Sequence, residues 1–463
     1  MRTLLVFPRR HPLTEEPDSP RHSWERERPV PPLGIAYLGA VLENDGLPIR
    51  LLDCNISNSD RTAREIEQAD VVGISAPSVL ANDALDLARY AKKLKKLVVV
   101  GGPHATISPS FFLEHDCVDF VVRGEGEYIL LELLRRIERN EDCEIVRGVS
   151  YRRNGKIVHS PNRPLIEDLD SIPFPARHLL DMETYFRRWR KSAGSTFVTM
   201  HTSRGCPHGC IFCSKEIFGR TYRTRSAKNV VDEMQSLVND YGPDFMLFND
   251  DVFTLDRKRV FEICQEIIKR GIRVDWGCES RVDGIDKEML RSMKEAGCRR
   301  IAFGVESGSQ RVLDFLNKKT TVEQIRSATH LAKRAGIEVT YYVIIGTPCE
   351  TKEDIELTRK LVSDAEPDYL SVSFFTPLPG TEAWHILEDD LMRGDLDQFD
   401  YFDSCAFNHE YLSADELKAA RMNILKGFRA KTVLRYCCSP RKILNVLRRP
   451  RFYWSYWKWM LNV

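Results

Sequence analysis

The sequence predicts an α/β protein: a doubly wound parallel sheet at the N-terminus, a partial (β/α)6 barrel after it, and a helical region at the end. Three observations predict this. Over residues 1–145, apolar runs of strand length alternate with amphipathic runs of helix length. The rhythm breaks in a proline-marked stretch, residues 146–195. It resumes at Thr196 for six further strand–helix repeats. Strands that alternate with helices form parallel sheets whose faces the helices cover. At 463 residues the chain has room for two or three domains.

The first unit reads TLLVF, GIAYLGAVLENDG, PIRLLD, ADVVGIS, ALDLARYAKKL, KLVVVGG, VDFVV and EYILLELLRRI. Its opening, MRTLLVFPRR, is a strand ended by Pro8 and is too short for the apolar core of a signal peptide. Gly46 is placed to stop the first helix. Ligands of such sheets bind beyond the carboxyl ends of the strands. Small and polar residues gather there: Ser75, Gly101 and Gly102, His104, and the run Gly124-Glu125-Gly126-Glu127. Adjacent glycines let a bulky ligand approach the backbone. His104 is open to two readings, a ligand contact or a turn residue bonded to backbone. In the connecting stretch, Asn154-Gly155 between apolar–polar runs marks a small hairpin. PNRPLIEDLDSIPFPARHLL then reads as a connector wrapped on the surface.

The second unit supplies the strands TFVTMHT, DFMLFND, IRVDWGCE, RRIAFGVE, VTYYVIIG and DYLSVSFF. Active groups of βα barrels sit at the carboxyl ends of the strands. Here those ends carry a cysteine loop, then Asp250 and Asp251, then Ser280 and Arg281, then Glu306 and Ser307, and then Gly346. Alternation sends one of Tyr341 and Tyr342 into the barrel. The cysteine loop, TSRGCPHGCIFCSKEIFGR, is the most informative segment. Cys206, Cys210 and Cys213 can hold three irons of a [4Fe–4S] cube and leave the fourth iron open to another ligand. The next cysteine along the chain is Cys264. The competing reading is a zinc site with His208 as fourth ligand, but zinc sites usually come as paired hooks and no second hook follows.

Composition narrows the classes. A net charge of +1 argues against a molecule built to seek nucleic acid. Thirteen cysteines, an odd number scattered through apolar runs, suit a reducing cytosol better than a disulfide framework. The end of the chain differs from the rest, since no acidic residue follows Glu416 and the last run is RRPRFYWSYWKWMLNV. Two readings stand. One is a helix packed over the barrel mouth. The other is a segment lying on the anionic inner face of a membrane, which would suit a hydrophobic or lipid-like substrate.

The cysteine run, with Phe212 before its last cysteine and the entry Gly205-Cys206-Pro207, resembles the radical S-adenosylmethionine (SAM) superfamily. The first unit, through VVGIS, LVVVGG, PPLGIAYLGAVLENDG and RGEGE, resembles a Rossmann-like cobalamin-binding domain. Together they resemble the cobalamin-dependent radical SAM enzymes, the class of the bacteriochlorophyll ring cyclase and many methylases. The resemblance implies a cobalamin domain over 1–145, a linker with a hairpin over 146–195, a radical SAM barrel over 196–395 and a helical region over 396–463. It implies three cofactors: a [4Fe–4S] cluster on the three cysteines, SAM and cobalamin. For SAM it implies contacts with Phe212, with Asp250 and Asp251 (amino group), with Ser280 and Arg281 (carboxylate), with Glu306 and Ser307 (ribose), and with Gly346 (adenine). For cobalamin it implies Ser75, Gly101, Gly102, His104, Gly124 and Glu125. The cobalt-binding His of Asp-x-His-x-x-Gly is missing, because that place reads Asp53-Cys54-Asn55-Ile56-Ser57-Asn58. The implied activity is cleavage of SAM to a 5′-deoxyadenosyl radical and methylation of an unactivated carbon through methylcobalamin. The alternative is a radical cyclisation without methyl transfer. The implied partners are a small-molecule substrate and an electron donor such as flavodoxin or ferredoxin.

Overall fold

The computed structural model describes residues 1–13, 28–391, 399, 401–402 and 407–437. In the first unit the order is β1 (Thr3–Phe7), α1 (Leu33–Asn44), β2 (Ile49–Asp53), α2 (Ser59–Gln68), β3 (Val71–Ser75), α3 (Ala81–Lys93) and β4 (Leu97–Gly101). The short α4 (Pro103–Ile107) and α5 (Pro109–Leu113) follow, then β5 (Phe120–Val122) and α6 (Gly126–Glu138). Leu4 and Val6 of β1 pack with Ile74, Leu85 and Val100 in one apolar cluster. Leu5, between them, packs with Ile35, Leu42 and Val99 in another. Side chains of a strand alternate faces, so helices cover this sheet on both sides. The strands run parallel in the order β2-β1-β3-β4-β5, and the order reverses between β1 and β3. A crevice at such a switch point is where doubly wound sheets take their ligands.

The hairpin is β6 (Val149–Arg153) and β7 (Lys156–His159), turned by Asn154 and Gly155, both with positive φ. It belongs to the first sheet, pairing antiparallel with the otherwise open edge of β5. The proline-rich connector is not draped over the surface as its composition suggests. Its Leu169, Ile172, Ala176 and Leu180 are buried, and the Ala176 amide donates to Ala36 O at 3.0 Å. Prolines mark where a chain leaves regular structure, and the apolar residues between them decide whether it is buried. The connector leads into α7 (Met182–Ala193), which ends on left-handed Gly194.

The second unit begins with β8 (Phe197–Met200) and a two-residue ribbon, β9 (Ser203–Arg204) with β10 (Arg223–Thr224). Next come α8 (Ala227–Tyr241), β11 (Phe245–Phe248), α9 (Arg257–Arg270), β12 (Asp275–Ser280), α10 (Lys287–Glu295) and β13 (Cys298–Glu306). They are followed by α11 (Gln310–Phe315), α12 (Val322–Arg334), β14 (Glu338–Ile345), α13 (Lys352–Ala365), β15 (Tyr369–Phe374), α14 (Glu382–Ile386) and α15 (Ala414–Cys437). Six parallel strands in the order β15-β14-β13-β12-β11-β8 make a half-barrel. On its helix side Trp276, Cys278, Phe303, Tyr341, Val343 and Phe374 are fully buried. On its lumen side Leu247, Glu279, Gly304, Tyr342 and Ser371 keep partial exposure. The lumen is therefore open at this level.

Its floor is closed by a stack. Trp189 lies on Phe197 at 4.7 Å between centroids, and Phe197 faces Phe245 at 6.1 Å. The Arg300 guanidinium sits 5.4 Å from the Phe245 ring and 3.7 Å from that of Tyr369. This chain of rings reaches from β8 to β15 and crosses β12 at Gly277. A Cβ there would meet Phe245 Cζ and Arg300 O, each at 2.8 Å. Gly277→Val is expected to destabilise the chain by about 2 kcal/mol, read as a lower urea midpoint, because the floor cannot rise without parting two strands.

α15 runs beside α13 and β15. Arg421 donates to Val372 O at 2.8 Å, and Arg435 donates to Glu366 O at 2.6 Å and Pro367 O at 2.8 Å. Arg435 thus satisfies carbonyls just past the end of α13, and Arg421 one within β15. The basic aromatic run 441–463 lies outside the described residues. Among the described residues no helix is long and apolar enough to cross a membrane.

Candidate functional site

The cysteine loop, residues 205–222, hangs between β9 and β10. Gly205 opens it at φ +83°, where a Cβ would lie 2.3 Å from Thr221 O. Cys206 is buried, while Cys210 and Cys213 are half-buried. Lys215 Nζ donates to Cys213 Sγ at 3.1 Å. Burial pushes the Cys210 thiol up, and the cations Lys318 and Arg281 act to bring it down. Burial prevails at Cys210 in the absence of a metal; the thiolate is the form that binds one. Phe212 packs beside Ile211 and Phe375, with Lys318 Nζ 5.8 Å from its ring centre.

Both feet of this loop are held by the first unit. Arg204 Nη1 donates to Glu125 Oε1 at 2.8 Å, and Arg204 Nη2 to Glu127 Oε1 at 2.6 Å. Arg223 Nη1 donates to Glu125 Oε2 at 2.8 Å, and the Ile166 amide donates to the same oxygen at 2.7 Å. All four charged side chains are buried. Glu125 and Glu127 sit at the turn after β5, on the carboxyl side of the first sheet. The loop therefore faces the strand ends where that sheet would take a ligand. Glu125, read from the sequence as a cobalamin contact, instead spends both oxygens on this clamp. Its carboxylate is thus held within the protein, between two buried guanidiniums. Gly124 is at φ +78°, its amide donating to Thr106 Oγ1 at 2.9 Å, with no atom within 4 Å of where a Cβ would stand.

The remaining first-unit residues border the open end of the sheet. Gly102 has φ +96°, and a Cβ there would come 3.0 Å from Ala76 N and 3.2 Å from Ser75 Oγ, so the β3 and β4 ends are drawn together. Gly101 ends β4 beside Ser75. His104 is buried with neither ring nitrogen bonded, its ring edge-on to Phe111 and Phe112. Burial brings its pKa down to about 4, so it is neutral. An unsatisfied buried imidazole calls for a partner.

On the barrel rim the sequence candidates divide. Asp250 is 1% exposed. Its Oδ1 accepts from the Thr202 amide at 2.6 Å, and its Oδ2 accepts from Ser203 Oγ at 2.7 Å and from Thr202 Oγ1. It fixes the start of the cysteine loop, leaving Asp251 as the exposed carboxylate. Ser280 turns inward to Thr254 and to its neighbour's carbonyl. Ser307 is tied to Thr358 and to the Ser309 amide. The Gly346 amide, at φ +79°, is taken by Glu350. Arg281 differs. Two of its nitrogens hold Asp283 at 3.0 and 2.9 Å and Lys318 O at 2.7 Å, while buried Nη1 has no partner. Glu306 stands at a bulge with φ +61° and accepts from Lys318 Nζ at 2.6 Å. A non-glycine residue held there is strained, and such strain gathers at functional sites.

Sequence reading named Glu127 within RGEGE without seeing its partner, and it missed Arg204, Arg223 and Lys318, whose partners lie 12 to 98 positions away. It ended the third barrel strand at Glu279 and gave that residue no role. The alternation of DWGCES would have placed Glu279 on the lumen face with Gly277.

A model of the Radical SAM superfamily matches residues 200–362, and one of the B12 binding domain matches residues 25–134. The chain is 38% identical over 362 residues to an uncharacterized methyltransferase of Pyrococcus horikoshii, covering 76% of this chain and 78% of that one. It is 33% identical over 420 residues to the anaerobic magnesium-protoporphyrin IX monomethyl ester cyclase of Cereibacter sphaeroides, covering 87% and 68%. Among solved structures, the radical SAM methyltransferase TsrM from Kitasatospora setae matches with a TM-score of 0.69 at 20% identity, over 84% of this chain and 78% of that one. The cobalamin-dependent SAM radical enzyme OxsB matches with a TM-score of 0.73 at 19% identity, over 96% and 70%. At these identities the solved structures bear on the fold, which is the same two-unit architecture.

Proposed function

Because the chain belongs to the cobalamin-dependent radical SAM family, we propose that it is a methyltransferase acting on a carbon with no nucleophilic character. The observation that carries this reading is the clamp of Glu125 and Glu127 on Arg204 and Arg223. It sets the cysteine loop against the strand ends of the first unit, which supports a site shared by groups that the two units would hold. Bound there, the iron–sulfur cluster and SAM supply a 5′-deoxyadenosyl radical, and cobalamin supplies the methyl group. Cys206, Cys210 and Cys213 hold three irons. Arg281 offers its unpartnered Nη1 to the SAM carboxylate, Asp251 its exposed carboxylate to the ammonium, and the Glu306–Lys318 pair its polar atoms to the ribose. Ser75, Gly101, Gly102 and His104 border the cobalamin. A small-molecule substrate occupies the lumen, and an external reductant supplies electrons.

The test is anaerobic turnover of the reconstituted chain with methyl-labelled SAM. The expected result is 5′-deoxyadenosine together with S-adenosylhomocysteine, and label in the corrinoid fraction. Alanine at Cys206, Cys210 or Cys213 is expected to reduce 5′-deoxyadenosine to the level of the enzyme-free control and to lower bound iron. The similarity to the cyclase supports a second reading, radical cyclisation, which forms 5′-deoxyadenosine with no label in the corrinoid and no S-adenosylhomocysteine.

A further inference from the structure

Tyr342 lies in mid-strand, yet it is 38% exposed because it faces the open lumen. Its hydroxyl donates to Glu279 Oε1 at 3.2 Å, reaching across β13. The β13 residues in register with the two are small, Ala302 beside Glu279 and Gly304 beside Tyr342, and the Glu306–Lys318 pair reaches back over Gly304, where a Cβ would lie 2.6 Å from Glu306 Oε1 and 2.7 Å from Lys318 Nζ. Ser371 is level with Tyr342 on β15, and Ser373 follows on the same face. Leu247 faces the lumen from β11. The ring stack of Trp189, Phe197, Phe245 and Tyr369 closes the space below. Above, Arg281 marks the rim two residues further along the strand, about 7 Å from Glu279. At 3.2 Å the phenol–carboxylate bond is longer than the usual 2.7–2.8 Å of an O–H···O bond. It is loose enough for another oxygen to enter.

We propose that Glu279 and Tyr342 receive a hydroxyl on the reacting carbon, so that the substrate is an alcohol attacked at its carbinol carbon. This rests on the function proposed above and deepens it by naming the substrate class. The pairing follows from the donors and acceptors present. Burial pushes the Glu279 carboxyl up to about 7, against the bond from Tyr342; above that pH it is ionised and only accepts, and a phenol has one hydrogen to give. A hydroxyl has one hydrogen and two lone pairs, so it can donate to Glu279 and accept from Tyr342 at once. An ammonium can donate but cannot accept from Tyr342. A substrate carboxylate can accept from Tyr342 but has no hydrogen to give Glu279. Hydrogen bonding to the carboxylate places electron density on the alcohol oxygen and weakens the adjacent C–H bond. In the step itself, that C–H bond breaks and its hydrogen atom forms the new C–H bond of 5′-deoxyadenosine. The unpaired electron stays on the carbinol carbon, and the hydroxyl proton remains between its oxygen and Glu279.

The experiment has two readouts. The first is saturation-transfer NMR of cyclohexanol, cyclohexylamine and cyclohexanecarboxylate on the full chain without cofactors. Cyclohexanol is expected to give the strongest transfer. Glu279→Gln and Tyr342→Phe are each expected to weaken its binding about tenfold, the worth of one charge-assisted hydrogen bond. The second uses the same compounds deuterated at C1 with the reconstituted chain and SAM, reading the deuterated fraction of the 5′-deoxyadenosine formed. That fraction is independent of the overall rate, is expected to be highest with cyclohexanol, and should fall in both variants. Equal transfer from all three compounds, preference for the amine, or unchanged values in both variants overturns the proposal. Failure to form any 5′-deoxyadenosine overturns the function proposed above, while alcohol-selective binding by the cofactor-free chain tests the pair independently.

Discussion

Glu125→Gln is expected to destabilise the chain by about 3–5 kcal/mol, the usual result of removing one partner from a buried ion pair. The size follows from what is left behind. Glu125 accepts from Arg204, Arg223 and the Ile166 amide, and both arginines are buried. A glutamine keeps the volume but offers one acceptor oxygen and turns an amide NH2 toward a guanidinium. Glu127→Gln is expected to have a smaller effect, because Glu127 meets only one nitrogen of Arg204. Lys352→Ala is the control. It breaks the 2.7 Å pair with Glu416, whose side chains are 67% and 45% exposed, and no measurable change is expected from so exposed a pair. Thermal unfolding followed by tryptophan fluorescence orders the three. The functional consequence is separate and equally direct. Both arginines flank the cysteine loop, so Glu125→Gln is also expected to lower the iron retained after reconstitution, whereas Lys352→Ala is not.

This clamp marks the limit of what the sequence discloses. The strands and helices were legible because their signals are local. TLLVF and VVGIS have the period of a strand buried on both faces, and AKNVVDEMQSLV has the period of a helix. The cysteine loop was legible because its three ligands lie within eight residues, Cys206 to Cys213. RGEGE was noticed but assigned to a ligand, since its partners Arg204 and Arg223 lie 79 and 98 positions from Glu125. The same limit explains the rim. A serine or aspartate at a strand end points to a ligand only if nothing in the protein uses it first. Ser280, Ser307 and Asp250 are engaged by Thr254, Thr358 and Thr202, residues 26, 51 and 48 positions away. Arg281 and Asp251 carry no stronger sequence signal than these, and only packing separates them. The basic aromatic run near the end of the chain lies outside the described residues, and only Arg435 before it is seen to satisfy carbonyls past α13.

Gly205→Ala is expected to abolish cluster loading, whereas Gly209→Ala, four residues along the same loop, is expected to leave it intact. The two glycines look alike in sequence and differ in what a methyl group would meet. At Gly205 the backbone is at φ +83°, which costs an alanine about 1–2 kcal/mol. The added Cβ would also lie 2.3 Å from Thr221 O and 3.0 Å from Phe218 O. Both are backbone atoms on the return arm of the loop, so relief requires β9 and β10 to part. They cannot part freely, because Arg204 and Arg223 are fastened to the same Glu125, and Asp250 holds Thr202 and Ser203 just upstream. The total is expected to reach about 3 kcal/mol or more, concentrated beside Cys206. At Gly209 φ is not positive, and a Cβ would meet only side-chain ends, Asn317 Nδ2 at 3.0 Å and Arg220 Nη1 at 3.4 Å. Those ends can swing by a few tenths of an ångström. Iron content and the visible absorption of the reconstituted proteins check the contrast. Equal loading of the two variants would mean that the ribbon does not set the spacing of the three thiolates.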